Sequence, residues 1–382
     1  MNQEFICMNK YKVVRPTGVA DLPLHTGHVP PWLFDRMRKL ARLTLRIMYD
    51  LYGPDGVVER FSNPVFFQAF NNLIGMDYDS SGSTTVTTAV VKEVLANSDI
   101  PIRVAGGKGR RALDTPKELA DIARHFDLDA SALVNASRLT AKVDNALVQD
   151  GYTIYHHAFF VSESGKWSVV QQGMNPEVKM ARRYHWLATE DYFNDPHTGI
   201  IGIRRKDVLN LASRRSEENR KVVLELVNEG PYKVAKYLAI LRGQTVFGPT
   251  YFHPHVKVDV DVKTVVRNLP PPKSVADFKE LLLRYGVGPK TLRALSLVAE
   301  LIFKAPADWN DPAIDPFKFA FAVGGKDGVP YPVDRKVYDE LIAILDAIID
   351  KARSDPGIYK YLTHLAKKAE SWQFPDHLKR PT

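Results

Sequence analysis

Leu281-Leu-Leu-Arg-Tyr-Gly-Val-Gly-Pro-Lys-Thr-Leu-Arg-Ala-Leu-Ser-Leu-Val-Ala-Glu-Leu-Ile-Phe303 holds two apolar runs separated by a Gly-Val-Gly corner. Phe278, Leu281, Leu282 and Tyr285 lie before the corner, and Leu292, Leu295, Leu297, Val298, Leu301 and Ile302 after it, at the spacing of two amphipathic helices. Gly286 and Gly288 can take φ > 0 and carry no Cβ. Pro289 suits the first helical turn, where its missing N–H has no partner in any case. A tight turn with free N–H groups at a helix N-terminus, followed by Lys290, is a site for a phosphate oxygen. The stretch reads as a helix-hairpin-helix, with Gly286, Val287, Gly288, Lys290 and Thr291 as the residues expected on a DNA backbone.

With 382 residues, 45% hydrophobic and 25% charged, the chain can bury one large core or two ordinary ones, and two domains are the default. Its 52 Lys+Arg against 44 Asp+Glu give a formal charge of +8, which favours a polyanionic partner without requiring one. A single cysteine, Cys7, excludes an intrachain disulfide and a zinc-finger type of site, and fits a reducing, cytosolic setting. The first ten residues lack an apolar core of signal-peptide length, and no run approaches eighteen uninterrupted apolar residues. A cytoplasmic protein with no membrane span is expected.

Outward from the corner, Asn268-Leu-Pro-Pro-Pro-Lys-Ser274 reads as a linker, because three successive prolines continue neither helix nor sheet. This puts a boundary between an α+β domain over residues 1–267, holding a substrate or nucleic-acid surface, and a helical domain over residues 274–382. Residues 13–31 read as an extended arm. A helix is expected over Trp32–Tyr52, stopped by Gly53, and another from Asn63-Pro64 to Gly75. The hydroxyl-rich run 79–88 leads into a helix ending near Asn97 and can cap it or hold an anion. Ile100–Ala105 reads as a short strand running into Gly106-Gly-Lys-Gly-Arg-Arg111. This loop reads equally as a phosphate wrap through Lys108, Arg110 and Arg111 and as a solvated basic loop; it lacks the Gly-Lys-Ser/Thr ending of a nucleotide-binding P-loop. Thr115-Pro-Lys-Glu118 reads as a capping box for a helix to Phe126, and Asp129 opens a longer one to Gly151.

At Tyr152 the period changes to two. Residues 152–161 and 166–172 read as a β-hairpin with one apolar and one polar face. His156, His157, Gln171 and Gln172 fall in it, with Arg182, Arg183, Tyr184 and His185 close behind. Three readings stay open: a metal site from His156, His157, His185 and His197, a nucleic-acid surface, or buried polar pairs. No standard zinc spacing is present. Arg and aromatic residues beside a sheet suit stacked or extruded bases. Arg204-Arg205-Lys206 and Arg214-Arg215 add basic surface. Further helices are expected over 217–230, 335–353 and 356–371.

Gly286-Val-Gly-Pro-Lys-Thr291, a helix, and then Gly324-Gly-Lys-Asp-Gly-Val-Pro-Tyr-Pro-Val-Asp334 resemble, in that order, the helix-hairpin-helix/Gly-Pro-Asp superfamily of DNA glycosylases and AP lyases. The resemblance covers residues 274 to about 352. It implies base excision on double-stranded DNA carrying a damaged or abasic site, with Lys290 as Schiff-base nucleophile, Asp334 as its carboxylate partner, and no metal or diffusible cofactor. An amine that attacks the sugar C1′ and a carboxylate facing oxocarbenium-like charge are what that chemistry needs. His156, His157, Gln171, Gln172, Arg182, Arg183, Tyr184 and His185 would then form the base pocket or a second site. The connection from Lys290 to Asp334 is longer than the family's and includes the extra segment 308–317, and no iron–sulfur cysteines follow. The chain as a whole resembles an uncharacterised prokaryotic family, domain of unknown function 763, which supplies no activity. The alternatives are a metal-dependent nuclease using Asp144, Asp150, Glu163 and nearby His, and a non-enzymatic DNA or RNA binder. The expected fold is α+β and mostly helical: a β-hairpin in the first domain, a helix-hairpin-helix in the second.

Overall fold

The computed structural model describes residues 22–24, 27–77, 80–244, 262–284, 286–313, 333 and 335–354. Cys7, Asp79, Tyr285, the Gly324–Pro332 loop, Asp334 and the helix expected over 356–371 lie outside the described residues. In chain order the helices are α1 (Pro31–Ser62), α2 (Pro64–Leu73), α3 (Gly82–Ala96), α4 (Arg110–Leu113), α5 (Thr115–Phe126), α6 (Ala130–Lys142), α7 (Glu217–Glu229), α8 (Pro231–Gln244), α9 (Val262–Arg267), α10 (Phe278–Leu283), α11 (Pro289–Leu301) and α12 (Arg335–Ser354). The strands are β1 (Ile102–Lys108), β2 (Val148–Gln149), β3 (Thr153–Ser162), β4 (Trp167–Asn175), β5 (Met180–Leu187), β6 (Gly199–Ile201) and β7 (Leu209–Asn210). The class is α+β. Among the described residues no helix is long and apolar enough to cross a membrane.

β1-β3-β4-β5-β6 form one antiparallel sheet, and β2 pairs with β7. Alternation along β3 sends Phe159 and Val161 into one core with Trp167, Val169 and Trp186, and Ala158 and Phe160 into another with Val104 and Val170. The first core is closed by α5, α6, α7, α10 and α11; the second by α1, α2 and α3. The expected hairpin with one polar face is therefore corrected: helices cover both faces, and the polar residues of β3, β4 and β5 lie inside. Four successive apolar residues, Ala158–Val161, are the sequence trace of that two-sided burial.

The core runs across the Pro-rich stretch. Leu269, Val275, Phe278, Leu281, Val287 and Leu292 share it with Leu133, Leu139, Leu147 and Val227, and Lys273 N donates to Asn228 O at 3.1 Å. α12 packs on the opposite side of the molecule, where Tyr338 Oη donates to Ile74 O at 2.7 Å and Arg36 pairs with Asp339 at 2.7 Å.

Local signals explain most boundaries. Asn63 Oδ1 accepts from Val65 N and Phe66 N, and Asp129 Oδ1 from Ser131 N and Ala132 N, so both caps form as read. Gly53, at φ 67° and ψ 178°, leaves helical backbone, so the first helical run stops there as read, and a second run from Pro54 to Ser62 continues α1 across the kink. The capping box at Thr115 does not form. Thr115 Oγ1 donates back to Ala112 O at 2.8 Å, and Glu118 Oε2 leaves the helix end to accept from Gly106 N at 2.7 Å and Lys92 Nζ at 2.6 Å. The long helix expected to Gly151 ends at Lys142, where a π-helical turn, Val143–Leu147, passes the chain into β2.

Candidate nucleic-acid interface

The corner between α10 and α11 is built from short-range rules. Asp277 caps α10 by accepting from Glu280 N at 2.7 Å, and Gly286 takes φ 89°, which a side chain rarely adopts. Val287 points into the core and holds the loop down. Gly288 is the residue before α11, in extended backbone, and an added Cβ there would meet nothing within 4 Å. Lys290 is exposed and has no ion pair with any described residue, while Thr291 next to it is buried.

Two side chains from the end of α6 and from β2 hold the loop's carbonyl groups inward. Lys142 Nζ donates to Val287 O at 3.3 Å, and Gln149 Nε2 donates to Pro289 O at 2.8 Å. Burial pulls the Lys142 ammonium below its usual range. With those acceptors engaged, the side of the corner at Gly288 and Lys290 faces open space. The first N–H groups of α11 have no acceptor within the helix and carry the positive end of its dipole.

A second feature adjoins the corner. Gln149 spends its amide on Pro289, so its Oε1 is left for Arg293 Nη1, at 3.5 Å. The Arg293 guanidinium lies over the Trp309 ring, 5.4 Å from its centroid, and Trp309 Nε1 donates to Glu300 Oε2 at 3.1 Å. Trp309 lines a groove of about 810 Å³ together with Arg205, Lys206 and Arg215. Asp311 on the same groove is already neutralised: the buried Arg182 meets both its oxygens, at 3.0 and 2.7 Å, and Arg205 N donates to it at 2.7 Å. The groove lining is mixed: Asp207 and Asp308 stand in it beside Arg205, Lys206, Arg215 and Trp309, and its cations and ring are the parts that suit phosphates and stacked bases. Of these residues the sequence reading had marked the Arg205 and Arg215 clusters only as basic surface. Arg293, one turn after Lys290 on the non-core side of α11, was the signal it passed over. Trp309, between polar residues in the 308–317 segment, was another.

His156, His157, Gln171, Gln172, Arg182, Arg183, Tyr184 and His185 are brought together, but in the interior, divided between the two faces of the sheet. On the first face Asp144 terminates a chain of hydrogen bonds. Ser137 Oγ meets His157 Nε2 at 2.9 Å, His157 Nδ1 meets Gln171 Oε1 at 2.8 Å, and Gln171 Nε2 donates to Asp144 Oδ2 at 2.6 Å. Because the glutamine oxygen only accepts, His157 carries its proton on Nδ1 and accepts from Ser137. Trp186 Nε1 donates to the same Asp144 oxygen at 3.0 Å, and His197 Nε2 meets the other at 2.5 Å. Asp150 accepts from Arg182 at 2.8 Å and from Tyr184 Oη at 2.6 Å. Burial raises both carboxyls, against the pull of His197 on Asp144 and of Arg182 on Asp150.

On the second face Arg183 meets no carboxylate among the described residues; its Nη2 donates to Gln68 Oε1 at 2.8 Å and its Nε to His185 Nε2 at 3.0 Å. His185 must therefore donate from Nδ1, to Phe61 O at 3.3 Å. Burial lowers Arg183, and burial with the Arg183 charge beside it lowers His185. Gln172 joins Thr84, Tyr155 and Ser81, donating to Ser81 O at 2.8 Å. Burial holds His157 down at about 4 and, with the His157 and Lys108 charges beside it, His156 at about 3, so both rings are neutral at pH 7.

The four histidines considered as a metal site fall on both faces of the sheet, and Asp144 and Asp150 belong to separate hydrogen-bonded clusters. Glu163 lies in the β3–β4 turn. Among the described residues no group of three or more His, Cys, Asp and Glu stands where it could hold a metal ion. Lys108, Arg110 and Arg111 are exposed, at the end of edge strand β1 and in α4. Comparison with curated proteins and with solved structures gives no match. A family model described as Protein of unknown function (DUF763) matches residues 18–333, most of the chain, and the protein belongs to that family.

Proposed function

We propose that this protein binds DNA, gripping the backbone at Gly286–Thr291 and seating the strand in the groove of Arg205, Lys206, Arg215 and Trp309. The observation that carries this reading is the polarity of the corner. Lys142 and Gln149 occupy two of its carbonyls, while a Cβ added at Gly288 would meet nothing within 4 Å and Lys290 is exposed. A pre-set loop of this kind meets a phosphate without ordering cost. Fluorescence anisotropy with a duplex, repeated across salt concentrations, tests it. Binding should weaken with salt, and Lys290→Gln should lower the log–log slope by about one unit while leaving the melting temperature unchanged. Binding that ignores both salt and Lys290→Gln would sink the reading.

The resemblance of the corner to base-excision enzymes supports a sharper version, in which Lys290 is also the nucleophile. Its Nζ would attack C1′ of a damaged nucleotide or abasic sugar and the base, where still present, would leave. The resulting Schiff base would lose a C2′ proton, breaking the C3′–O bond by β-elimination. Lys290 is exposed, free of ion pairs to described residues, and at the family's lysine position; Asp334, its expected partner, lies outside the described residues. Borohydride trapping on abasic duplex should give an adduct with the full chain and none with Lys290→Ala. An adduct surviving that change would reject the lysine.

A further inference from the structure

The Gly106–Arg111 loop takes no part in the hairpin site, and it borders a cavity of about 780 Å³ between β1, β3 and α3, within the range of small-molecule pockets. Lys108 stands directly opposite His156 in the β1–β3 ladder, so both side chains leave the sheet on the same face. Gly106 takes φ 89°, and a Cβ on it would stand 2.2 Å from His157 O, which fixes glycine there. Glu118 pins this backbone through Gly106 N and is itself neutralised by Lys92. That leaves Lys108 and Arg111 as exposed cations at the cavity mouth.

Deeper on the wall lies His156, 1% exposed. Thr88 Oγ1 lies 2.9 Å from both Thr84 O and His156 Nε2; we assign its one proton to Thr84 O, the usual back-bond of a helical threonine, so that it accepts from His156 Nε2–H. With that assignment Nδ1 is a bare acceptor with no partner among the described residues. Ala89, Val104 and Ala158 supply apolar wall beside it. Among the described residues other buried polar atoms also lack a partner, Asn71 Oδ1 and Asn219 Oδ1 among them, but His156 is the one on the wall of this cavity, where a ligand could supply the missing donor.

We propose that this cavity binds a nucleotide, its 5′-phosphate held by Lys108 and Arg111 at the mouth and its base lying between Val104, Ala158 and Ala89, with an exocyclic amine donating to His156 Nδ1. A free nucleotide and the 5′-phosphorylated end of a strand present the same chemistry. The site shares no residue with the hairpin and groove, so its failure would leave the DNA-binding reading standing, and the reverse.

Calorimetric titration of the full chain with AMP, adenosine and inorganic phosphate tests the proposal. AMP should bind about tenfold or more tightly than either fragment, and Lys108→Ala and Arg111→Ala, both at exposed positions, should each weaken it by about fivefold. His156→Phe should weaken AMP and leave inorganic phosphate unchanged. Should that variant fail to fold, purine riboside 5′-monophosphate, which lacks the amine, puts the same question to the unmodified chain and should bind about tenfold more weakly than AMP. No AMP binding at millimolar concentration, or AMP affinity unmoved by Lys108→Ala and Arg111→Ala, overturns the proposal. A 5′-phosphorylated oligonucleotide that displaces AMP identifies a strand end as the natural occupant, and one that does not identifies the free nucleotide; either result supports the site.

Discussion

In the sheet, Arg182 is closed in by Asp150 and Asp311, and Gln171 by His157 and Asp144. At the groove, Arg293 lies over Trp309 and 3.5 Å from Gln149 Oε1, and Lys290 is exposed. The two regions are built from the same residue types and differ in burial. A polar group removed from water must find its partners inside the protein, so the sheet network is turned inward and its value is structural. A polar group at the surface keeps its hydrogen-bonding capacity for a ligand. Residue chemistry alone does not separate these cases, which is why the dense Arg, His, Gln and Tyr run of β3, β4 and β5 can be taken for a binding surface.

The contrast can be broken at four points. The largest effect is expected from Asp144→Ala, which strands Gln171, Trp186 and His197 donors in the interior and should cost about 3–5 kcal/mol of stability. Chemical denaturation measures it; a loss under 1 kcal/mol would mean that the network is not structural.

Acid should come next. His156, His157 and His185 have folded-state values depressed below the unfolded value near 6.5, so the folded state binds fewer protons than the unfolded one. Their contribution is complete above that value and drains away as pH falls from about 6.5 toward about 4, by about 1 kcal/mol per ring at pH 5.5. The raised Asp144 and Asp150 carboxyls act with the opposite sign as acid approaches the unfolded carboxylate range, so the histidine loss is read in the upper part of the window. Stability that stays level between pH 7 and 5.5 would contradict the buried neutral assignment.

At the groove, Trp309→Ala should weaken single-stranded DNA binding by about 1–3 kcal/mol if a base stacks on the ring, with the melting temperature held by the rest of the core. Equal losses of binding and stability would place Trp309 with the interior instead. The smallest and most specific contrast lies within the corner. Gly288→Ala puts a methyl group into open space where a phosphate would approach, and should lower DNA affinity a few-fold with stability unchanged. Gly286→Ala meets φ 89° and should instead lower stability, by about 1 kcal/mol or more. The same phenotype from both glycines would remove the case for an open corner.

Much of the fold was legible along the chain. The Asn63 and Asp129 caps, the Gly286 turn, and the period-two segments at residues 153–162 and 167–175 are local features, and local sterics and hydrogen bonding set them. The turn between α10 and α11 was readable for the same reason. Arg182–Trp186 was marked as a dense cluster but not as the third central strand, because charged residues in a strand buried on both faces run against the usual alternation. The π-turn after Lys142 depends on packing that no short window contains.

Composition and spacing by themselves determined a basic α+β chain with a glycine corner at the start of a helix, since charge count, turn chemistry and helical period are properties of neighbouring residues. Which arginines face water was decided only by tertiary structure. Burial of Arg182 and Arg183 depends on helices from both ends of the chain closing over the sheet. The path from Pro289 through Gln149 and Arg293 to Trp309 exists because a π-turn carries Gln149 up to a loop 140 residues away in sequence. Contacts at that separation come from the packing of cores, and the pattern of any one segment does not encode them.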